Sequence, residues 1–105
     1  MHEVRVQAAL RMVDANPDGI YEDRPPDVLL AIPVLEIELD ANGSVCHIHV
    51  ARHPGQAPET TQIAIDAVHR AAPFGNVSHL PKPWVFTEVF LFRDDRRFKP
   101  RTLDD

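Results

Sequence analysis

His47 and His49 are the residues whose type and spacing come nearest to chemistry. They stand one residue apart in Ser44-Val45-Cys46-His47-Ile48-His49-Val50. Alternate side chains of a strand share a face, so both imidazoles project to the same side. Glu36 and Glu38 repeat that spacing in Val34-Leu35-Glu36-Ile37-Glu38-Leu39-Asp40. Pairing the two runs outward from Asn42-Gly43 sets Glu38 opposite His47 and Glu36 opposite His49. Two imidazoles and a carboxylate form a donor set for zinc, with ligand atoms ~2 Å from the metal. Along one strand, however, such histidines are about 6–7 Å apart at ~3.3 Å per residue, and would have to converge. Glu–His neighbours across a hairpin explain the same residues at ~0.2–1 kcal/mol per pair. Glu36, Glu38, His47 and His49 are therefore read as a polar sheet face, with no metal and no cofactor.

Other reactive residues offer less. The single cysteine, Cys46, falls on the apolar face in this pairing, opposite Leu39, and reads as a small buried hydrophobe. It has no partner for an internal disulfide. His53, His69 and His79 fall in a turn, a helix and a loop with no spacing that joins them. Ser44 and Ser78 lack the G-x-S-x-G context of a hydrolase. The four glycines are isolated and cradle no phosphate. No catalytic residue is assigned, and the chain is read as a non-enzyme.

The elements that must hold these residues are legible from periodicity. Residues 34–40 alternate apolar and acidic side chains, the signature of a half-buried strand. Asn42-Gly43 matches a type I′ hairpin turn. Leu39 then faces Cys46, Ile37 faces Ile48 and Leu35 faces Val50, and a slip of one residue would mix the faces. Val4 to Asp14 reads as a helix with Val6, Ala9, Leu10 and Val13 on its apolar stripe. Glu59 to Ala72 reads as a second helix, with Ala64, Val68 and Ala71 inward, Pro58 at its start and Pro73 at its end. Val85 to Phe92 is the last strand, apolar on both faces. Trp84 is expected to plug a seam beside it. Residues 20–33 form a Pro- and Asp-rich connector around the patch Val28–Ile32, which reads either as a helical turn or as an extended segment.

Together these give one α+β domain. A three-stranded antiparallel sheet carries two helices on one face, in the order α-β-β-α-β. Residues 1–33 supply the first helix and connector, 34–93 the core, and 94–105 a charged flexible tail. The chain has 105 residues, 44% hydrophobic, with a net charge of −5. That balance argues against nucleic acid as a partner, because the basic residues Arg93, Arg96, Arg97, Lys99 and Arg101 are interleaved with Asp94 and Asp95. No apolar run approaches the ~20 residues of a membrane span, and nothing resembles a signal peptide.

Residues 35–92 resemble the C-terminal domain of TonB-family energy transducers and, more distantly, of TolA. The resemblance rests on Asp40-Ala41-Asn42-Gly43-Ser44-Val45 at the turn and Ala64-Ile65-Asp66-Ala67-Val68-His69-Arg70-Ala71-Ala72-Pro73-Phe74 at the helix and its break. Val89-Phe90-Leu91-Phe92 completes it. It implies a periplasmic module of the cell envelope that binds a protein partner such as an outer-membrane receptor. In that family an extended partner segment adds to the last strand, here Thr87, Glu88, Val89, Phe90, Leu91 and Phe92. The other reading is a stand-alone cytoplasmic α+β protein with a structural or ligand-binding role, or a homodimer closed through that strand.

Overall fold

The computed structural model describes residues 2–104. Met1 and Asp105, the outer ends of the expected segments 1–33 and 94–105, lie outside the described residues. The elements are α1 (His2–Ala15), β1 (Val34–Leu39), β2 (Val45–Arg52), α2 (Glu59–Ala71), β3 (Val85–Phe92), β4 (Phe98–Pro100) and a 3-10 turn (Arg101–Leu103). The strands form one antiparallel sheet in the order β2-β1-β3-β4. The α+β class and the two helices are as expected, and the sheet has four strands instead of three.

The hairpin keeps the register that its alternation specifies over most of its length. Ile37 faces Ile48, Leu35 faces Val50, Glu38 faces His47 and Glu36 faces His49. At the turn the expectation needs correction. Gly43 N donates to Asp40 O at 3.0 Å, and Asp40 Oδ1 accepts from the backbone of Asn42 and Ser44 at 2.9 and 3.0 Å. Only Gly43 in this turn has a positive φ, 84°. A type I′ turn needs two such residues, so the turn is a three-residue one closed by a left-handed glycine. The extra residue shifts the register beyond Glu38, and Leu39 faces Val45. Cys46 is left outside the Leu39 pair and is exposed rather than buried.

One core joins Ala8 and Met12 of α1, Ala64, Ala67, Val68 and Ala71 of α2, and the inward side chains Leu35, Ile37, Leu39, Phe86, Phe90 and Phe92. The α1 stripe differs from expectation: Ala8, Ala9 and Met12 are buried, whereas Leu10 is 44% exposed. Asn16 sets that rotation. Its Nδ2 donates to Met12 O at 2.8 Å and to Ala67 O at 3.2 Å, and Arg70 donates to its Oδ1. This buried amide ties the end of α1 to α2, so the residues one and two turns before it face inward.

The segment expected as a tail is part of the sheet. Arg93 N donates to Arg97 O, and Asp95 Oδ1 accepts from Arg97 N at 3.0 Å, with Arg96 in the left-handed region at φ 62°. This tight turn returns the chain, so that Phe92 faces Phe98 and Phe90 faces Pro100. Phe98 is 1% exposed. The connector is extended where it meets β3: Phe90 N donates to Pro33 O and Phe92 N to Ala31 O, both at 3.0 Å. Leu29 and Ile32 lie with Val89 and Leu91 around a shallow recess on the opposite sheet face. On that face Leu91 is buried, while Val89 is half-buried.

Candidate functional site: the edges of the sheet

Which strand margins are open follows from the direction of the backbone groups. Leu39 N donates to Trp84 O, and Asp40 N donates to Ser44 O. Backbone groups alternate in direction along a strand, so odd residues of β1 face β3 and even residues face β2. His47 and His49, opposite Glu38 and Glu36, are thus bonded inward to β1. The N–H and C=O groups of Ile48 and Val50 point away from the sheet. Among the described residues no strand lies beyond β2, which runs eight residues, mostly exposed or half-buried.

The far side of the sheet is closed. Phe98 N donates to Gly19 O at 3.0 Å and Tyr21 N donates to Phe98 O at 3.2 Å, so Gly19–Tyr21 lies along β4. The Tyr21 hydroxyl donates to Leu91 O at 2.9 Å, with Arg93 over its ring. Burial pushes the Tyr21 phenol up from its ordinary value, against the lowering effect of Arg93.

The candidate edge Thr87–Phe92 is therefore corrected. β3 is an interior strand, with β1 on one side and β4 on the other. Phe90, Leu91 and Phe92 are paired with Pro100, Lys99 and Phe98. Only Thr87–Val89, beyond the end of β4, keeps a margin that no strand covers among the described residues. The reason is chemical: Phe98 is the one aromatic side chain after Phe92, and it completes the cluster of Phe90 and Phe92.

Glu36, Glu38, His47 and His49 are exposed neighbours on the sheet face opposite the helices. Glu36 also stands beside Thr87 and Glu38 beside Val85. No ion pair joins the four among the described residues. No three His, Cys, Asp or Glu side chains converge among the described residues. Trp84 fills the seam at the end of β1, its Nε1 donating to Leu80 O at 2.9 Å.

One polar residue in the aromatic run of β3 has a role that alternation alone signals. Glu88 shares the inward face with Phe86 and Phe90 and is 2% exposed. Its carboxylate accepts from Thr102 Oγ1 at 2.6 Å and from Thr102 N at 3.3 Å. Burial raises its pKa above the ordinary value, while Thr102, the Val89 N–H and the charge of Arg5 oppose the rise. Beside it lies a recess of about 260 Å³ lined by Arg5, Thr87, Glu88, Val89, Arg101 and Thr102.

No family model, curated protein or solved structure matches this chain.

Proposed function

We propose that this protein is a non-catalytic interaction module that takes an extended segment of a protein partner along β2. The observation that carries this reading is the asymmetry of the sheet. One terminal strand, β4, is sealed by Gly19–Tyr21, and the other, β2, has eight residues with no chain along them among the described residues. The outward N–H and C=O groups of Ile48 and Val50 supply affinity for an added strand, and alternate side chains supply selectivity. His47 and His49, backed by Glu38 and Glu36, give the added strand a polar neighbour on one face. A periplasmic setting rests on the resemblance of residues 35–92 to TonB-type C-terminal domains alone. The docking edge of this reading is β2, not the last strand of that family.

Cys46 gives a direct test, because it is the only cysteine and is exposed on this strand. A benzophenone attached to its thiol should crosslink the partner in cell extract. Val50→Pro removes an outward N–H without touching a bond to β1, a substitution edge strands tolerate. Capture should fall at least about tenfold, equivalent to ~1.4 kcal/mol. Undiminished capture by a folded Val50→Pro variant would contradict strand addition at β2.

A further inference from the structure

The short open margin of β3 ends in a recess lined by Arg5, Glu88, Arg101 and Thr102. Phe90 and Phe92 direct their N–H groups to the β1 side. Val85, Thr87 and Val89 therefore direct theirs to the other side. There the β3–β4 ladder ends at Pro100, and the 3-10 turn Arg101–Leu103 follows, held to β3 by Thr102 on Glu88. The Val89 N–H bears on the Glu88 carboxylate. The N–H and C=O of Thr87 have no strand across from them among the described residues. A segment pairing along Val85 and Thr87 would reach the recess where the β3–β4 ladder ends at Pro100.

The side chains around the recess select the sign of that terminus. Arg5, from α1, and Arg101, from the 3-10 turn, line it. The Nε of Arg5 is shut off from solvent and has no hydrogen-bond partner. Glu88, the one acid on the wall, already accepts from Thr102 Oγ1 and Thr102 N. A terminal ammonium would meet two cations and an occupied carboxylate. A terminal carboxylate would meet the guanidinium groups of Arg5 and Arg101, set against the single acid Glu88.

We propose that this recess binds the C-terminal carboxylate of an extended peptide that runs alongside Val85 and Thr87 and ends between Arg5 and Arg101. Backbone pairing at Thr87 supplies register and the arginines supply selection for a free C-terminus. The site is separate from β2 and does not depend on the reading of that edge.

The test is an NMR titration of the full chain with the probe acetyl-Val-Thr-Val-Thr-Val bearing a free carboxylate, its C-terminal amide, and sodium acetate. The acid peptide should shift the Thr87 amide and Arg5 Nε–H resonances, and the amidated peptide should bind at least about tenfold more weakly. Arg101→Gln, at an exposed side chain, should weaken the acid peptide by about tenfold while leaving the spectrum folded. Equal binding of acid and amide would overturn the proposal, as would shifts confined to Ile48 and Val50. Acetate moving Arg5 Nε–H while the peptide leaves Thr87 unmoved would assign the recess to free small carboxylates and overturn it too.

Discussion

The ring of Phe98 sits 5.2 Å from that of Phe90, centroid to centroid, and both side chains are fully buried. This contact turns the C-terminal segment into the fourth strand and removes β3 from the edge of the sheet. Phe98→Ala should cost about 3–5 kcal/mol, the range for deleting a buried phenyl ring. Urea unfolding measures it. A loss below about 1 kcal/mol would show that β4 is not part of the cooperative unit.

The hairpin turn docks on the loop after α2. Phe74 N donates to Gly43 O at 2.8 Å and Val77 N to Ala41 O at 3.0 Å. A Cβ on Gly43 would overlap Gly75 O and lie 2.6 Å from Gly75 N, at a φ of 84° that L residues avoid. Gly75 has a φ of 90° with open space around it, and Gly55 has neither constraint. Alanine scanning should therefore rank Gly43→Ala as worst, by about 3 kcal/mol or more, Gly75→Ala at about 1–2, and Gly55→Ala near neutral. Thermal unfolding of the three variants gives the order directly. Equal effects at Gly43 and Gly75 would show that backbone contact adds nothing to conformational strain.

Glu88 makes stability depend on pH in an uncommon direction for a carboxylate. Burial raises its pKa in the folded protein above the ordinary 4.5. The folded state then holds the proton more tightly than the unfolded state, so protonation favours folding. That contribution is complete below about pH 4.5 and is lost as pH rises through the folded value. The stability difference between the native protein and Glu88→Gln should shrink or reverse from pH 4.5 upward. A difference constant with pH, measured by urea unfolding at several values, would show that Glu88 titrates as a free glutamate.

The parts legible in the sequence were those where periodicity and burial agree. The alternation in Val34–Leu39 selects the hairpin register, because any slip would bury Glu36 and Glu38. The turn and Cys46 differ from expectation because Asp40, through its carboxylate, nucleates a turn one residue longer than Asn42-Gly43 alone suggests. The α1 stripe is not legible from apolar spacing, because a buried Asn16 outranks Leu10 in fixing the helix rotation. β4 was hidden because it is three residues long, ends in proline and follows a run of charges. Its one signal is Phe98, beside aspartates and arginines that form a turn but resemble a solvated tail in sequence. Glu88 was legible in principle, since period 2 puts it between Phe86 and Phe90, and a lone acid there requires a partner.

The most direct test of β2 as the docking edge is amide hydrogen exchange, residue by residue, with and without the captured partner. In the free protein the outward amides of Ile48 and Val50 should exchange fast, and those of His47 and His49, bonded to β1, should be protected. With partner bound, Ile48 and Val50 should become protected as well. If their exchange stays fast in the complex, the partner does not add a strand to β2 and the account is wrong.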